Sequence, residues 1–264
     1  MKFIKNDLPS ELKNIEIELF FDVHIGSPQC DYKYLLERIK YVKEHDNVYA
    51  IIGGDLINNS TRNSVGDVYE EPLTPMQQIK TAVSTFEPIK DKILCAISGN
   101  HEGRSYKTDG IDLLHFFCVE LGISDKYDSV ACLSFVRLGS QINKSKTQRC
   151  SGRKLCYTIY VAHGDGQGGR TIGSIANGLQ RRGKVIDADI IITGHTHKSL
   201  VLRDSMWRVD PQNNSAFLKD QVFVSAGSFL NYESYAERYG LPPTSKLSPR
   251  IVLSGTEKQI ATIY

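Results

Sequence analysis

The sequence predicts a mixed α/β fold of two packed β-sheets flanked by helices. In the first half, short apolar runs of strand length alternate with segments of helical periodicity, as βαβ units do. In the last third, strand-like pieces follow one another with no helix between them, as in antiparallel sheets. The 264 residues suffice for one sizeable core, and no repeat or low-complexity linker interrupts them, so a single domain is expected over 1–264.

The elements are read in order. IEIELFF, residues 15–21, alternates and then turns wholly apolar, as a strand entering a core does, and it ends at Asp22. Asp31 can cap a helix on which Leu35, Leu36, Ile39 and Val42 recur at helical spacing. VYAII, 48–52, reads as a buried strand ending at GGD, which closes on Asp55. The pattern repeats with a helix after Pro75 built on Met76, Ile79, Val83 and Phe86, and a strand over 93–97 that ends at SGNHE. After a helix around 111–121, a hairpin pairs 130–138 with 155–162. Its second strand runs into His163, and the loop between, about 139–154, reads as a basic, polar insertion. A short helix near 172–179 precedes a strand over 185–193 that delivers GHTH, and 199–203, 221–225, 250–253 and 259–264 complete the strands. Every cluster of candidate ligands thus follows the C-terminal end of a predicted strand, the edge at which open α/β sheets bind ligands.

Composition excludes several classes. Hydrophobic residues at 41% and charged residues at 23% match ordinary soluble domains, which argues against disorder or a fibre. No apolar run approaches the roughly 20 residues of a membrane helix, and the opening MKFIKNDLPSELKN lacks a signal peptide's apolar centre, so neither membrane nor export is expected. Six cysteines form no CxxC pair, and Cys95, Cys118 and Cys132 lie in apolar stretches; they read as reduced, and the chain as cytoplasmic. Oligomeric state leaves no mark. Charge is uneven: between Arg137 and Lys184 lie ten basic residues against one acid, Asp165, a local +9 that leaves −7 for the rest of a chain of net charge +2. Such a stretch suits an anionic partner or a solvated face.

The chemistry lies in five short motifs. Asp22 and His24, spaced i, i+2 at a strand end, can reach one metal together. Asp55 follows two glycines that let the backbone turn tightly, and its two oxygens can bridge cations. SGNHE offers an amide oxygen at Asn100, an imidazole at His101 and a carboxylate in succession. His163 in AHGDG and the pair His195 and His197 in GHTH add three imidazoles, so five of the seven histidines fall in these motifs. Each motif alone is as common in turns as in metal sites. Together they form a donor set of mixed hardness, suited to Mn²⁺ above all, or to Fe or Zn²⁺, and poorly to Ca²⁺.

The ordered series DxH, GD, GNHE, H, GHxH, from Asp22 to His197, resembles the calcineurin-like metallophosphoesterase superfamily. The resemblance implies two metal ions above one edge of a two-sheet sandwich. Asp22, His24 and His197 would hold one ion and Asn100, His163 and His195 the other, with Asp55 bridging. Water held between the two cations would lose a proton near neutral pH and attack phosphorus while both ions neutralise the phosphate oxygens. His101 would be the general acid for the leaving group. Family members often carry a second Asp three residues after the GD aspartate to orient that histidine; here the position is Asn58, whose amide oxygen is expected to accept from His101 instead.

The substrate is read from departures. Ser/Thr protein phosphatases of the superfamily show an Asp-Arg pair after GD and an Arg before GNHE, where this chain has Asn58, Asn59 and Ser98, so that reading drops. DVHIG and GGDLIN look more like the nuclease branch related to the Mre11/SbcD exonucleases. With His163 inside the basic stretch, its charges are expected to border the site. Lys144, Lys146, Arg149 and Arg170, with Arg104 and Tyr106 beyond GNHE, are the candidate contacts to a DNA, RNA or nucleotide phosphodiester. The alternatives are a phosphomonoesterase acting on small metabolites or phosphoproteins, and a non-catalytic scaffold on the same fold. Retention of His101 beside all seven ligands argues against the scaffold.

Overall fold

A computed structural model describes residues 1–61, 64, 69, 71–139, 154–164, 171–232, 243 and 245–264. Two six-stranded sheets pack face to face. The first has the order β1 (Lys2–Asp7), β6 (Ala131–Leu138), β7 (Leu155–Ala162), β8 (Ile190–Thr193), β10 (Ser215–Ser225), β9 (Leu200–Asp210). The second runs β12 (Ile260–Ile263), β11 (Arg250–Ser254), β2 (Asn14–Phe20), β3 (Val48–Ile52), β4 (Ile93–Ile97), β5 (Tyr127–Asp128). Both are mixed: β2, β3, β4 and β5 are successively parallel, as are β7, β8 and β10, while the β6–β7, β9–β10 and β11–β12 pairs are antiparallel.

The two-residue period of the strands assigns the layers. Ile15, Ile17 and Leu19 of β2 face Ile159, Val161, Ile190 and Ile192 of the other sheet, whereas Phe20 and, on β3, Ala50 and Ile52 face outward. Over that outer face lie α1 (Tyr32–Glu44), α2 (Pro75–Phe86) and α4 (Leu113–Glu120), which contribute Leu35, Ile39, Ile79, Phe86 and Phe117. On the first sheet, α5 (Ile172–Gly183) covers Ile191 and Phe223 with Ile175 and Leu179. The order is helices, sheet, sheet, helix, with two cores of similar size, one between the sheets and one beneath α1, α2 and α4. Asp31 caps α1 by accepting from Tyr34 N–H, and Thr74 with Gln77 forms a capping box under Pro75.

Several expectations change. Leu36 and Met76 sit on the solvent sides of their helices, since α1 and α2 bury only the stripes through Leu35, Ile39 and Ile79, Phe86. The helix expected over 111–121 is preceded by a separate one, α3 (Glu102–Asp109), which stops at Gly110 in the left-handed region. Strand β8 is confined to four residues, while β9 and β10 extend to eleven each as a long hairpin. Strand β1 escapes notice in the sequence because only Ile4 is a buried apolar residue on it; Lys2, Lys5 and Asp7 suit an edge strand.

Cys30, Cys95, Cys118, Cys132 and Cys156 are free thiols among the described residues. No helix of the described residues is long and apolar enough to cross a membrane.

Candidate metal centre

The parallel strands place the ligand clusters at one end of the sandwich. Asp22 follows β2, Asp55 follows β3, Asn100 follows β4, His163 follows β7, and His195 and His197 follow β8. The backbone beyond the strands stays paired: Asp22 N–H donates to Gly54 O, His24 N–H to Asp55 O, and Gly194 N–H to His163 O. Five of these residues, Asp22 (φ 52°), His24 (55°), Asp55 (51°), His195 (67°) and His197 (55°), adopt left-handed backbone. That region costs most side chains roughly 1–2 kcal/mol each, and such strain gathers where a site has to be built. Gly99 and Gly194 let the loops close, since a Cβ at either would collide with the Asp55 or Asp22 carboxylate.

The donor atoms converge. His163 Nε2 lies 3.1 Å from Asp55 Oδ2, 3.0 Å from Asn100 Oδ1 and 3.3 Å from His195 Nδ1. His197 Nε2 is 3.3 Å from Asp22 Oδ1, and His24 Nε2 is 4.0 Å from Asp55 Oδ2. Three groups have their donor atoms within 4.8 Å of one another: Asp22, His24 and His197; Asp55, His163 and His195; and His24, Asp55 and His101. Asp55 therefore stands between the two halves.

Electrostatics make the same point. Burial disfavours charge at His163, yet the Asp55 and Asp22 carboxylates outweigh it and lift the imidazole to about 10. Burial likewise opposes ionisation of Asp22 and Asp55, but the facing histidines hold both below the usual carboxylate range. His24 is pushed well down by burial and by the neighbouring His101. Two nearly buried carboxylates thus draw positive charge into a cage of imidazoles. Among the described residues, Asp22 Oδ1 and both ring nitrogens of His24 are buried without a hydrogen-bond partner. Orphaned buried acceptors are costly and call for a ligand, and a divalent cation matches carboxylate, amide oxygen and imidazole donors. Gly53 O accepts from His163 Nδ1 at 2.8 Å, which aims Nε2 inward, and a cation would take the place of the Nε2 proton there.

His101 lies at the rim, its ring edge-on to His24 with centroids 4.4 Å apart. Its main-chain N–H donates to Asp55 Oδ1 at 2.8 Å. The expected contact with the Asn58 amide is not there: Nδ1 donates to the Asn58 main-chain carbonyl at 2.5 Å, while the Asn58 side chain turns away to Ser60 and Glu71. A peptide carbonyl has replaced the carboxylate in that role. Arg104, one turn into α3, donates to His101 Nε2 at 2.9 Å and to Asn58 O at 3.1 Å. Burial, and then the Arg104 charge, keep His101 below the ordinary imidazole range despite Asp55.

Of the other substrate candidates, Tyr106 is 63% exposed on α3. Lys144, Lys146, Arg149 and Arg170 lie outside the described residues. Leu138 pairs with Leu155, and Ala131 with Ala162 beside His163, so Arg137, one residue before Leu138, lies at the end of this hairpin opposite the metal cluster. Arg181, Arg182 and Lys184, at the C-terminal end of the α5 crossover between parallel β7 and β8, are at that far end too. For Arg137, Arg181, Arg182 and Lys184, therefore, the expectation that the basic stretch borders the site is corrected.

Sequence reading gave no role to Glu102, the last residue of GNHE. It is 1% exposed, and its carboxylate accepts from the N–H groups of Gly99 (2.8 Å), Asp55 (3.0 Å), Leu56 (2.7 Å) and Ile57 (3.2 Å). It locks the Asp55 loop to the Asn100 loop. Its adjacency to Asn100 and His101 was the available signal.

No curated protein matches the sequence. Among solved structures, Vacuolar Protein Sorting 29 of Cryptosporidium parvum is 15% identical with a TM-score of 0.46, over 96% of this chain and 98% of that one. A predicted phosphoesterase of Streptococcus pneumoniae is 13% identical (TM-score 0.38; 96% and 90% covered), and a metallophosphoesterase of Sphaerobacter thermophilus is 12% identical (0.40; 95% and 89%). Likenesses so distant carry no argument about activity. The family model for calcineurin-like phosphoesterases, by contrast, matches residues 22–199, from the first ligand cluster to just past the last. Spanning more than half of the chain and every strand end that builds the cage, that match makes this protein a member of the calcineurin-like phosphoesterase family.

Proposed function

We propose that the chain is a dinuclear metal-dependent phosphodiesterase. The observation that carries this is the cage itself: carboxylates and imidazoles from both sheets converge, with Asp22 Oδ1 and the His24 ring nitrogens buried without a hydrogen-bond partner. Asp22, His24 and His197 would hold one cation, Asn100, His163 and His195 the other, and Asp55 would join them. When bound, two such cations, Mn²⁺ in our reading, supply Lewis acidity that activates water and offsets the charge of a phosphoryl group.

The chain's own groups do the rest. Asp55 Oδ1, by accepting His101 N–H, keeps the ring beside the cage. His101 Nε2 lies next to Arg104 and 3.8 Å from Asp55 Oδ2. An entering phosphate oxygen would compete with His101 for the Arg104 guanidinium, freeing Nε2 to take up a proton from solvent and pass it to a leaving-group oxygen. Nucleic acid or a nucleotide is the proposed source of the diester. Composition supports it: Lys198 directly follows His197, Arg104 comes four residues after Asn100, and Arg170 seven residues after His163. Lys144, Lys146 and Arg149 are the further basic candidates for contact with the diester.

The test is an activity panel with Mn²⁺ added: p-nitrophenyl phosphate, its bis-ester, cyclic nucleotides, and single- and double-stranded nucleic acids, with His101→Ala as control. Turnover of diesters supports the reading. Preference for monoesters makes the chain a phosphomonoesterase, and stoichiometric metal binding without turnover makes it a scaffold. Binding of nucleic acid whose salt dependence is unmoved by Lys144→Ala, Lys146→Ala and Arg149→Ala removes those three from the interface.

A further inference from the structure

The two asparagines after GGDLI divide a task between them. Asn58 offers His101 only its main-chain oxygen. What aims that oxygen is Asn59. The plane of the peptide joining the two is set by the torsions on either side of it, and Asn59 has φ 43°, a left-handed value that asparagine tolerates better than other side chains. Asn59 is fully buried. Its Nδ2 donates to the main-chain oxygen of His101 itself at 2.7 Å and to Ser105 Oγ at 3.0 Å, and its Oδ1 accepts from Ser105 Oγ at 3.1 Å. Its N–H donates to Oε1 of the buried Gln78, whose Nε2 reaches Glu71 Oε2 and Leu73 O.

One side chain therefore grips both partners of the contact: the peptide that carries the acceptor, and the backbone of the histidine that donates. We propose that Asn59 is the positioning residue for His101. It replaces the usual carboxylate partner with a held peptide carbonyl, which fixes the ring as an Nδ1–H donor and leaves Nε2 beside Arg104 as the nitrogen that gains and gives the proton. A neutral acceptor orients the imidazole without adding a negative charge beside Asp55. This deepens the phosphodiesterase reading and rests on it, because orientation of Nε2 matters only if a leaving group is protonated there.

The experiment uses Asn59→Ala and Asn59→Gly in the full chain with Mn²⁺, on diesters that differ only in the leaving group. Glycine accepts the left-handed backbone freely, so it removes the amide grip without the strain. General-acid catalysis contributes ~10²–10⁴-fold where the leaving group is poor. Both variants are therefore expected to lose about tenfold or more in kcat on an alkyl leaving group and less than about threefold on p-nitrophenol, with KM nearly unchanged. In a His101→Ala background, Asn59→Ala should cost nothing further. A uniform loss across leaving groups, an undiminished loss in the His101→Ala background, or no loss would overturn the proposal. A chain that turns over no phosphoester would sink the functional reading, and the positioning claim would then be decided by ¹⁵N NMR of histidine-labelled protein without added metal. There the His101 ring should show one tautomer in the wild type and a tautomer mixture in Asn59→Gly; an unchanged spectrum overturns it.

Discussion

His101 Nδ1 meets the main-chain carbonyl of Asn58, at 2.5 Å, and the Asn58 side chain plays no part in the contact. The amide of Asn58 instead donates to Ser60 Oγ and to Glu71 Oε1. Asn58→Asp, which restores the residue type common at this position in the family, is therefore expected to harm the protein. It would set a second carboxylate against Glu71 in a half-buried loop and lower stability by about 1–3 kcal/mol without raising kcat. Denaturant unfolding and steady-state kinetics check both halves. An active, equally stable variant would mean the Asn58 side chain can turn to His101 after all.

Glu102 satisfies four backbone N–H groups from two loops. Burial and the nearby Asp55 raise it to about 7, and the N–H groups oppose that rise. Glu102→Ala would strand buried donors and is expected to cost about 3–4 kcal/mol. The milder Glu102→Gln keeps one acceptor oxygen and should mainly loosen the Asp55 loop, weakening metal affinity by roughly 10–100-fold, as loss of a residue that orients ligands does. Calorimetric metal titration of the glutamine variant decides the second point.

Asp22 Oδ1 and the His24 ring nitrogens, buried without a hydrogen-bond partner, predict that metal and fold are linked. Added Mn²⁺ or Zn²⁺ should raise the unfolding temperature of chelator-treated protein, since a ligand at 100 times its Kd stabilises by about 2.7 kcal/mol. His24→Ala should reduce the bound stoichiometry by one ion and shrink the thermal shift. A thermal shift that survives intact in this variant would place the cation elsewhere.

Away from the cage, Asp189 predicts part of the acid sensitivity. It is 3% exposed, accepts from Thr158 N–H and Oγ–H at 2.8 and 2.9 Å, and faces Lys258 at 3.0 Å and Lys219 at 3.4 Å. Burial opposes its charge, but the Thr158 N–H and Lys258 prevail and hold it below the ordinary carboxylate value of 3.8. A depressed carboxylate adds stability above its unfolded pKa, and that contribution is lost as pH falls through the folded one. Asp189→Asn should thus cost ~1–3 kcal/mol at pH 7 and progressively less below pH ~4, so that the wild-type and variant stability curves converge in acid. Parallel curves would remove Asp189 from the acid response.

Much of this protein is written locally. Apolar runs at VYAII, ILCAI and IIIT specify strands through their period and length, and Asp31 and Thr74 mark helix starts, because these signals need no distant partner. The residue types that can bind cations stand at strand ends in order, so the cage was legible as a set. What only the tertiary structure decided is direction at the scale of single groups. Whether Asn58 meets His101 with its side chain or its peptide depends on the torsions about Asn59, and those are held by His101, Ser105 and Gln78 from other parts of the chain. The part played by Glu102 depends in the same way on four N–H groups brought together by two loops. Residue type is a property of one position, whereas the aim of a dipole or a lone pair is set by everything packed around it.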